Sequence, residues 1–248
     1  MLQGLFTKDQ ADQFLQPLDD ILRVGIDKIL FEINDDKTIS IGTQTSNSSN
    51  FVIVNYKDTL FSSFNKVDQK FVFGVINLSE LLGIMRIFPL GFNLRVTEDM
   101  FIVEKDTNKF VYYGCSVKDT LRSPSSKIKG TVDSPLASFT WGENMNSLVK
   151  AMNLLKMDNV ILSGDASTKL INVSVTNKQF QRYNNFSAKI QATEIKKDFK
   201  VLFDKDKIQP VMNSKINNFA ANIFEKGLLL TGITESYTIQ HAVTPLVK

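Results

Sequence analysis

The chain has little of the chemistry on which most enzymes depend. Its 248 residues include one histidine, His241, and one cysteine, Cys115, so neither a histidine cluster nor a metal-binding cysteine pair can form. No phosphate-binding GxxxxGKS/T or GxGxxG signature and no zinc-binding HExxH signature occurs. A site built on paired carboxylates is the remaining enzymatic alternative, but the nearest pair, Asp19 and Asp20, lies on a predicted helix beside no other reactive group. The sequence therefore favours a protein that is not an enzyme and that needs no metal or cofactor.

The sequence also lacks the signals that direct a chain into or across a membrane. No stretch approaches the roughly 18 consecutive apolar residues of a membrane-spanning helix, and the first residues lack the apolar core and cleavage site of a secretory signal. A single cysteine excludes an internal disulfide framework and fits a reducing compartment. These absences predict a cytoplasmic protein with no membrane partner. The formal net charge of +3 permits contact with nucleic acid but is too small to argue for it.

The elements that are present recur in one order along the chain. Apolar runs bounded by turn residues predict strands, and apolar residues at helical spacing predict helices. Thr7 and Gln10 form a capping-box signature at the start of the first helix. Pro17 should kink or break that helix, and the second helix, which starts near residue 77, should stop at Pro89. The predicted strands are 29–33, 39–45, 51–56, 70–76, 93–96, 100–104 and 109–117, then 136–141, 159–163, 169–176, 186–194, 216–224, 227–231 and 236–243. The later helices should span about 143–156 and 204–209, the last ending before Pro210.

A change of composition in the middle of the chain predicts a linker. The segment from Asp119 to Pro135 contains two prolines, one glycine and four serines and is poor in apolar residues. We therefore place one domain at 1–121, the linker at 122–134 and a second domain at 135–248. Each half has the order helix, strands, helix, three strands, which predicts an internal two-fold repeat.

Two segments resemble DNA sliding clamps. The run KFVFGVINLSELLGIMRIFPLGFNLRVTEDMFIVEKDTNKFVYYG resembles the second half of a clamp domain. The run FKVLFDKDKIQPVMNSKINNFAANIFEKGLLLTGITESYTIQHAV, with a short helix closing on Gln209-Pro210, is similar to the end of the clamps of large tailed bacteriophages. Proliferating cell nuclear antigen shares this plan. The resemblance covers nearly the whole chain in element order and length. It implies an α+β chain of two clamp-type domains, each with β-sheets outside and two short helices on the inner face, assembling into a ring.

The resemblance also implies a function. Subunits of this kind form a homotrimer that encircles double-stranded DNA without sequence preference and tethers the replicative DNA polymerase. A separate ATP-dependent clamp loader would open the ring, and some phage clamps also bind transcription factors. The site of action would be the cytoplasm, that of the host cell if a phage encodes the chain. The alternative is a β-rich two-domain phage structural or assembly protein with no DNA role, which would share the strand repeats but would not need cations on its helices.

A ring around DNA needs cations that meet phosphates without reading bases. In the helix near 143–156, Lys150 lies opposite an apolar face, and Arg86 lies on the outward side of the second helix. On the first helix, the outward positions Asp9, Gln13, Gln16 and Asp20 are neutral or acidic, which leaves the cations at its two ends. The candidate DNA contacts are Arg86, Lys150, Lys207, Lys205, Lys215, Arg23 and Lys8. An ordinary solvated helix face is the alternative interpretation of each of them.

The resemblance assigns a second site at the linker and the C-terminus. In clamps these segments border the pocket that receives short peptides from polymerases and loaders. The corresponding candidates here are Ile128, Pro245 and Leu246, with a frayed terminus as the alternative for the tail. Trp141 and Cys115 are interpreted as packing residues, and His241 as a packed or surface imidazole.

Overall fold

A computed structural model describes residues 1–65, 67–115, 134–142, 144–176, 186–212, 214–216 and 218–246. Of residues 144–146 it describes the main chain only. The elements follow one order twice. The first half consists of β1 (Leu2–Thr7), α1 (Lys8–Arg23), β2 (Ile29–Ile33), β3 (Ile39–Gln44), β4 (Asn50–Tyr56), β5 (Phe71–Val75), α2 (Leu78–Arg86), β6 (Gly91–Val96), β7 (Met100–Lys105) and β8 (Asn108–Tyr113). The second half consists of β9 (Ala137–Trp141), α3 (Asn144–Leu154), β10 (Asn159–Asp165), β11 (Leu170–Thr176), β12 (Phe186–Ile195), β13 (Phe199–Asp204), α4 (Lys205–Met212), β14 (Phe219–Phe224), β15 (Gly227–Ile233) and β16 (Tyr237–Val243). A short 3-10 helix, Asp58–Phe61, lies between β4 and β5.

The chain folds into two compact units. The first unit is made of Met1–Ser46, Phe51–Ser126 and Ile233–Ile239, and the second of Asn47–Asn50, Lys127–Gly232 and Gln240–Lys248. The predicted linker lies outside the described residues except for Ser134, so its limits stay a prediction. None of the helices in the described ranges is long and apolar enough to cross a membrane.

The strands of the two halves pair in the same pattern. In the first unit β6 lies between β1 and β7, and β8 follows β7; in the second unit β14 lies between β9 and β15. The order β4-β3-β2-β5 of the first unit has its counterpart in β12-β11-β10-β13 of the second, and every one of these pairs is antiparallel. The predicted internal repeat is therefore confirmed in both element order and pairing.

The core of the first unit is built from aromatic residues beneath α1. The helix begins at the predicted capping box, in which the Thr7 side chain accepts a hydrogen bond from the Gln10 amide and the Gln10 side chain accepts one from the Thr7 amide. Its apolar face packs on β1 and β6. The ring of Phe6, on β1, lies 5.2 Å from Phe14 and 4.8 Å from Phe64 between centroids. Burial of each such ring contributes on the order of 1.5–3 kcal/mol, which ties β1 firmly to the helix.

The core of the second unit lies beneath α3 and α4. Leu148, Val149 and Met152 are buried residues of α3, which packs on β11 and β12. Ile208 and Val211 bury the inner face of α4, which packs on β10 and β13. The two helices therefore cover one sheet with their apolar sides and leave their polar sides outward.

The structure differs from the sequence predictions at several points, and packing explains three of them. The helix α1 does not break at Pro17, because it continues to Arg23 with Pro17 buried in its apolar face. The helix α4 likewise continues through Pro210 to Met212, where the sequence predicted an end at Gln209. In both cases buried apolar side chains after the proline offset the missing main-chain hydrogen bond. The strand β1 was not predicted, because a glycine, Gly4, occupies one of its inward positions.

Candidate nucleic-acid interface

The predicted cations of the first unit are mostly engaged in ion pairs with α1. The Arg86 guanidinium of α2 donates a hydrogen bond to the carboxylate of Asp19, and the two side chains are 50% and 23% exposed. Arg23 pairs with Asp20 at 2.8 Å. Lys8 is exposed at the start of α1. Two of the three candidate cations of this unit are thus partly neutralised by carboxylates of α1.

Asp20 corrects an expectation. The sequence placed it on the outward side of α1, but the residue is only 1% exposed. The Arg23 guanidinium, which lies one turn further on, provides the charged partner that a buried carboxylate requires. Asp20 is therefore part of the packing of α1 and does not belong to an outward acidic face.

The helices of the second unit carry a different balance of charge. Lys150 is exposed on α3, and Lys205 and Lys207 are half-buried on α4. Among the described residues, no carboxylate forms an ion pair with any of these three lysines. The two helices are joined instead by a neutral contact, in which Gln209 Nε2 donates to Asn153 Oδ1 at 3.0 Å. Lys150, Lys205 and Lys207 therefore remain available to an outside anion.

The position of two of these lysines is not explained by helix stability. Lys205 and Lys207 lie in the first turn of α4, where the positive end of the helix dipole disfavours a cation by about 0.3–1 kcal/mol. Asp206 in the same turn and Asp204, whose Oδ1 accepts from the Asp206 amide at 3.0 Å, favour the helix start. The lysines therefore add to the positive field at this end of the helix, which suits an anionic ligand.

Lys215, the remaining candidate, is exposed just after α4 in the described segment 214–216. No carboxylate of the described segments forms an ion pair with it. It extends the same set of cations on the second unit.

The C-terminal tail is held against the second unit. The amide of Thr244 donates to the carbonyl of Ser49 at 2.9 Å, and the amide of Leu246 donates to the carbonyl of Leu202 on β13 at 2.8 Å. Pro245 and Leu246 are half-buried. The tail is therefore held in place from Thr244 to Leu246, and the frayed-terminus alternative does not apply to these three residues. Val247 and Lys248 lie outside the described residues. Ile128, the third predicted member of the peptide pocket, lies outside the described residues, so the pocket stays a prediction.

In the part of the chain that the structure describes, two strand edges are open to a further strand, and the sequence alone did not locate them. The amide of Gly114 donates to the carbonyl of Asp99 at 2.7 Å, so the alternation of an antiparallel ladder directs the amides of Lys109, Val111 and Tyr113 away from β7. In β12, residues 186–191 pair with β11, whereas pairing with β9 starts only at Ala192. Among the described strands, β8 and this part of β12 each have a neighbour on one side only.

The side chains that line a cleft in the first unit are unsuited to binding phosphate. It has a volume of about 510 Å³ and is lined by Asp68, Glu98 and Asp99, together with Met1, Gln69, Phe71 and Thr97. Three carboxylates in the lining of one cleft repel an anion. This cleft is therefore not part of the candidate nucleic-acid interface.

Comparison with known proteins decides the fold. The sequence matches no protein-family model and no curated protein. Solved structures do match it, among them three sliding clamps that align over nearly their whole length. The PCNA of A. fulgidus, solved with the C-terminal region of FEN-1 bound, has a TM-score of 0.78 at 12% identity and covers 100% of this chain and 99% of that one. The chain has the sliding-clamp fold.

Two further clamps support the assignment. The Proliferating Cellular Nuclear Antigen of Entamoeba histolytica has a TM-score of 0.77 at 16% identity, covering 99% of both chains. The PCNA2-PCNA3 complex of Sulfolobus tokodaii has a TM-score of 0.73 at 10% identity, covering 98% of both chains. The predicted α+β class with two clamp-type domains is confirmed by this full-length likeness. At identities this low, the sliding-clamp fold is shared although most of its residues differ.

Proposed function

We propose that this chain is a subunit of a DNA sliding clamp, a ring that encircles double-stranded DNA and tethers the replicative DNA polymerase. The observation that carries the proposal is the likeness to clamps over 98% to 100% of the chain. A second support is the set of lysines on α3 and α4, which form no ion pair with a described residue and which the packing of those helices does not require.

The proposed mechanism is topological. A polymerase bound to a ring that cannot easily leave the duplex stays at a high effective concentration near the primer end. The clamp itself makes and breaks no bond, and a separate ATP-dependent loader opens it. Lys150, Lys205 and Lys207 contact phosphates through a few solvent-accessible charges, which are screened by salt and allow the ring to move along the duplex.

The two open strand edges supply a way to close the ring. We propose that β8 of one copy pairs with residues 186–191 of β12 in the next, head to tail, so that three copies close on themselves. Each edge directs three amides outward, and pairing removes two exposed edges per subunit at once. A homotrimer of 28.0 kDa subunits has a mass of about 84 kDa.

The proposed partner site combines Pro245 and Leu246 with Ile128 of the linker. The A. fulgidus clamp was solved with the C-terminal region of another protein, FEN-1, bound to it. A short terminal segment of the polymerase or the loader is accordingly the proposed ligand here. The hydrogen bonds of Thr244 and Leu246 support the site, because they hold the tail in one position.

One experiment tests the DNA role directly. Charge reversal of Lys150→Glu and Lys207→Glu together should shorten the products of the cognate polymerase. It should also make the salt dependence of DNA binding shallower, by about 0.9 in log–log slope for each phosphate that is no longer neutralised. The matched control is Lys226→Glu, which reverses an exposed charge in the turn between β14 and β15 and should leave product length unchanged. Unchanged processivity in the double variant, with its trimer intact, would favour the β-rich structural protein over a clamp.

A further inference from the structure

The two helix pairs, one in each unit, differ in charge although they share one architecture. The pair α1 and α2 carries three cations, Lys8, Arg23 and Arg86, against five carboxylates, for a net charge of −2. The pair α3 and α4 carries three lysines against Asp206, for a net charge of +2. A phosphate backbone is attracted to the second pair and repelled by the first.

The contact that joins the two helices also differs between the pairs. Between α1 and α2 the joining contact is ionic, and it occupies the Arg86 guanidinium with the Asp19 carboxylate. Between α3 and α4 the joining contact uses two neutral amides, Gln209 and Asn153. Joining the two helices therefore occupies a cation in the first unit and none in the second.

Neither of the two ion pairs of α1, Arg86 with Asp19 and Arg23 with Asp20, is easily given up to DNA. A phosphate that contacts Arg86 must approach the negative charge of Asp19, which is bound to the same guanidinium. Arg23 neutralises Asp20, whose side chain is only 2% exposed, so removing that guanidinium would leave a buried carboxylate with less of its compensation. Asp12, exposed on α1, adds a further repulsion.

From these contacts and charges we infer that each subunit holds DNA through α3 and α4, with Lys215 just beyond them, and not through α1 and α2. The ion pair with Asp19 occupies Arg86, and the excess of carboxylates on α1 and α2 repels phosphate. The inference rests on the proposed clamp function and deepens it. The sequence alone suggested that every helix contributes cations to the hole. Under the inference, the duplex meets only one basic helix pair in each subunit. Arg86 therefore serves to join α2 to α1, and Asp19 neutralises the charge of Arg86.

Neutral substitutions test the inference on the full-length protein. The affinity for a short fluorescent duplex is measured by anisotropy over a range of salt. Lys150→Gln should weaken binding and lower the salt slope by about 0.9 or more, whereas Arg86→Gln should leave both unchanged. Asp19→Asn should strengthen binding by a few-fold, because it removes a repelling charge and releases a cation. Circular dichroism melting and the assembly mass confirm that each variant is folded.

A cross-linking measurement gives an independent result. In a Cys115→Ser background, a photoreactive label is placed at Ser147→Cys on α3, three residues before Lys150, or at Gly83→Cys on α2, three residues before Arg86. Both positions are exposed, and a Cβ atom at Gly83 would have no atom within 4 Å. DNA should be captured from position 147 and not from position 83.

The outcomes separate the inference from the function. Equal loss of binding in Arg86→Gln and Lys150→Gln, or equal capture from both labels, would overturn the inference and leave the clamp standing. Binding that is unaffected by Lys150→Gln and by Asp19→Asn, with no capture from either label, would overturn the DNA role and the inference with it.

Discussion

The buried histidine offers the sharpest test of the packing in the second unit. His241 is 0% exposed, neither of its ring nitrogens has a hydrogen-bond partner among the described residues, and the ring of Phe219 lies 6.0 Å from it between centroids. Because burial disfavours the charged imidazolium, the pKa of His241 is lowered to about 3. The perturbation to make is His241→Leu, a side chain of similar volume that cannot titrate.

The size and sign of the pH effect follow from proton linkage. The histidine has a pKa of about 6.5 in the unfolded chain. Below that pH the unfolded state therefore binds a proton that the folded state does not bind. The stability due to the neutral imidazole is fully present above about pH 6.5 and declines as the pH falls towards the folded pKa of about 3. The slope approaches about 1.4 kcal/mol per pH unit, which amounts to about 2 kcal/mol between pH 7 and pH 5.

Urea unfolding at pH 7 and pH 5 measures this difference in both proteins. The wild type should lose about 2 kcal/mol more of its free energy of unfolding than His241→Leu over this interval. At pH 7 the variant should be as stable as the wild type or more stable, because two unpaired buried nitrogens are removed. Equal losses in the two proteins between pH 7 and pH 5 would refute the burial of an unpaired imidazole at this position.

Three further predictions concern the first unit. Tyr56→Phe should cost about 1 kcal/mol in unfolding free energy, because its buried hydroxyl donates to a main-chain carbonyl of α1 at 2.7 Å, whereas Tyr237→Phe should cost nothing, because that hydroxyl has no partner among the described residues. Gly91→Ala should lower the melting temperature, at a cost of about 1–3 kcal/mol, since its φ is +96° and its new Cβ would lie 2.3 Å from a carbonyl oxygen; Gly83→Ala, in open space on α2, should raise it. Val111→Pro should reduce the proposed trimer to monomers in light scattering, because it removes an outward amide of β8, while Val111→Ala, which keeps that amide, should remain assembled. Unchanged assembly in the proline variant would argue against β8 as the closing edge.

The sequence predicted most elements because their patterns are local. The strand 29–33 was predicted at its observed bounds, and the capping box located the start of α1. The strand β1 escaped because its inward positions are Leu2, Gly4 and Phe6. At Gly4 a Cβ would lie 2.4 Å from the ring of Phe64. The alternation that identifies a strand was therefore interrupted by a glycine whose place is filled from another part of the chain.

The candidate site was predictable in residue type but not in electrostatic state. Lys150 was found because it stands opposite an apolar stripe, a relation that helical periodicity reveals. Lys205 and Lys207 were chosen only because they lie on the last helix. The pairing of Arg86 with Asp19 joins residues 67 positions apart and depends on the relative register of two helices, which no local pattern specifies. Asp20 was misplaced for a similar reason, since periodicity assigns a face to a residue but does not report what covers that face.

The two halves of the chain share one architecture but use different residues to join their helices. Both halves follow one order of elements and one scheme of strand pairing, yet the helices of one half are fastened by an ion pair and those of the other by two amides. Either contact fixes the helices, since packing beneath them supplies most of the energy. The charge on the outward helix faces is consequently almost independent of the fold, and it can diverge between halves without cost to stability. If Asp19→Asn left the melting temperature nearly unchanged while altering DNA affinity, that independence would be measured directly; a large loss of stability would mean that the ion pair is required to hold α2 in place.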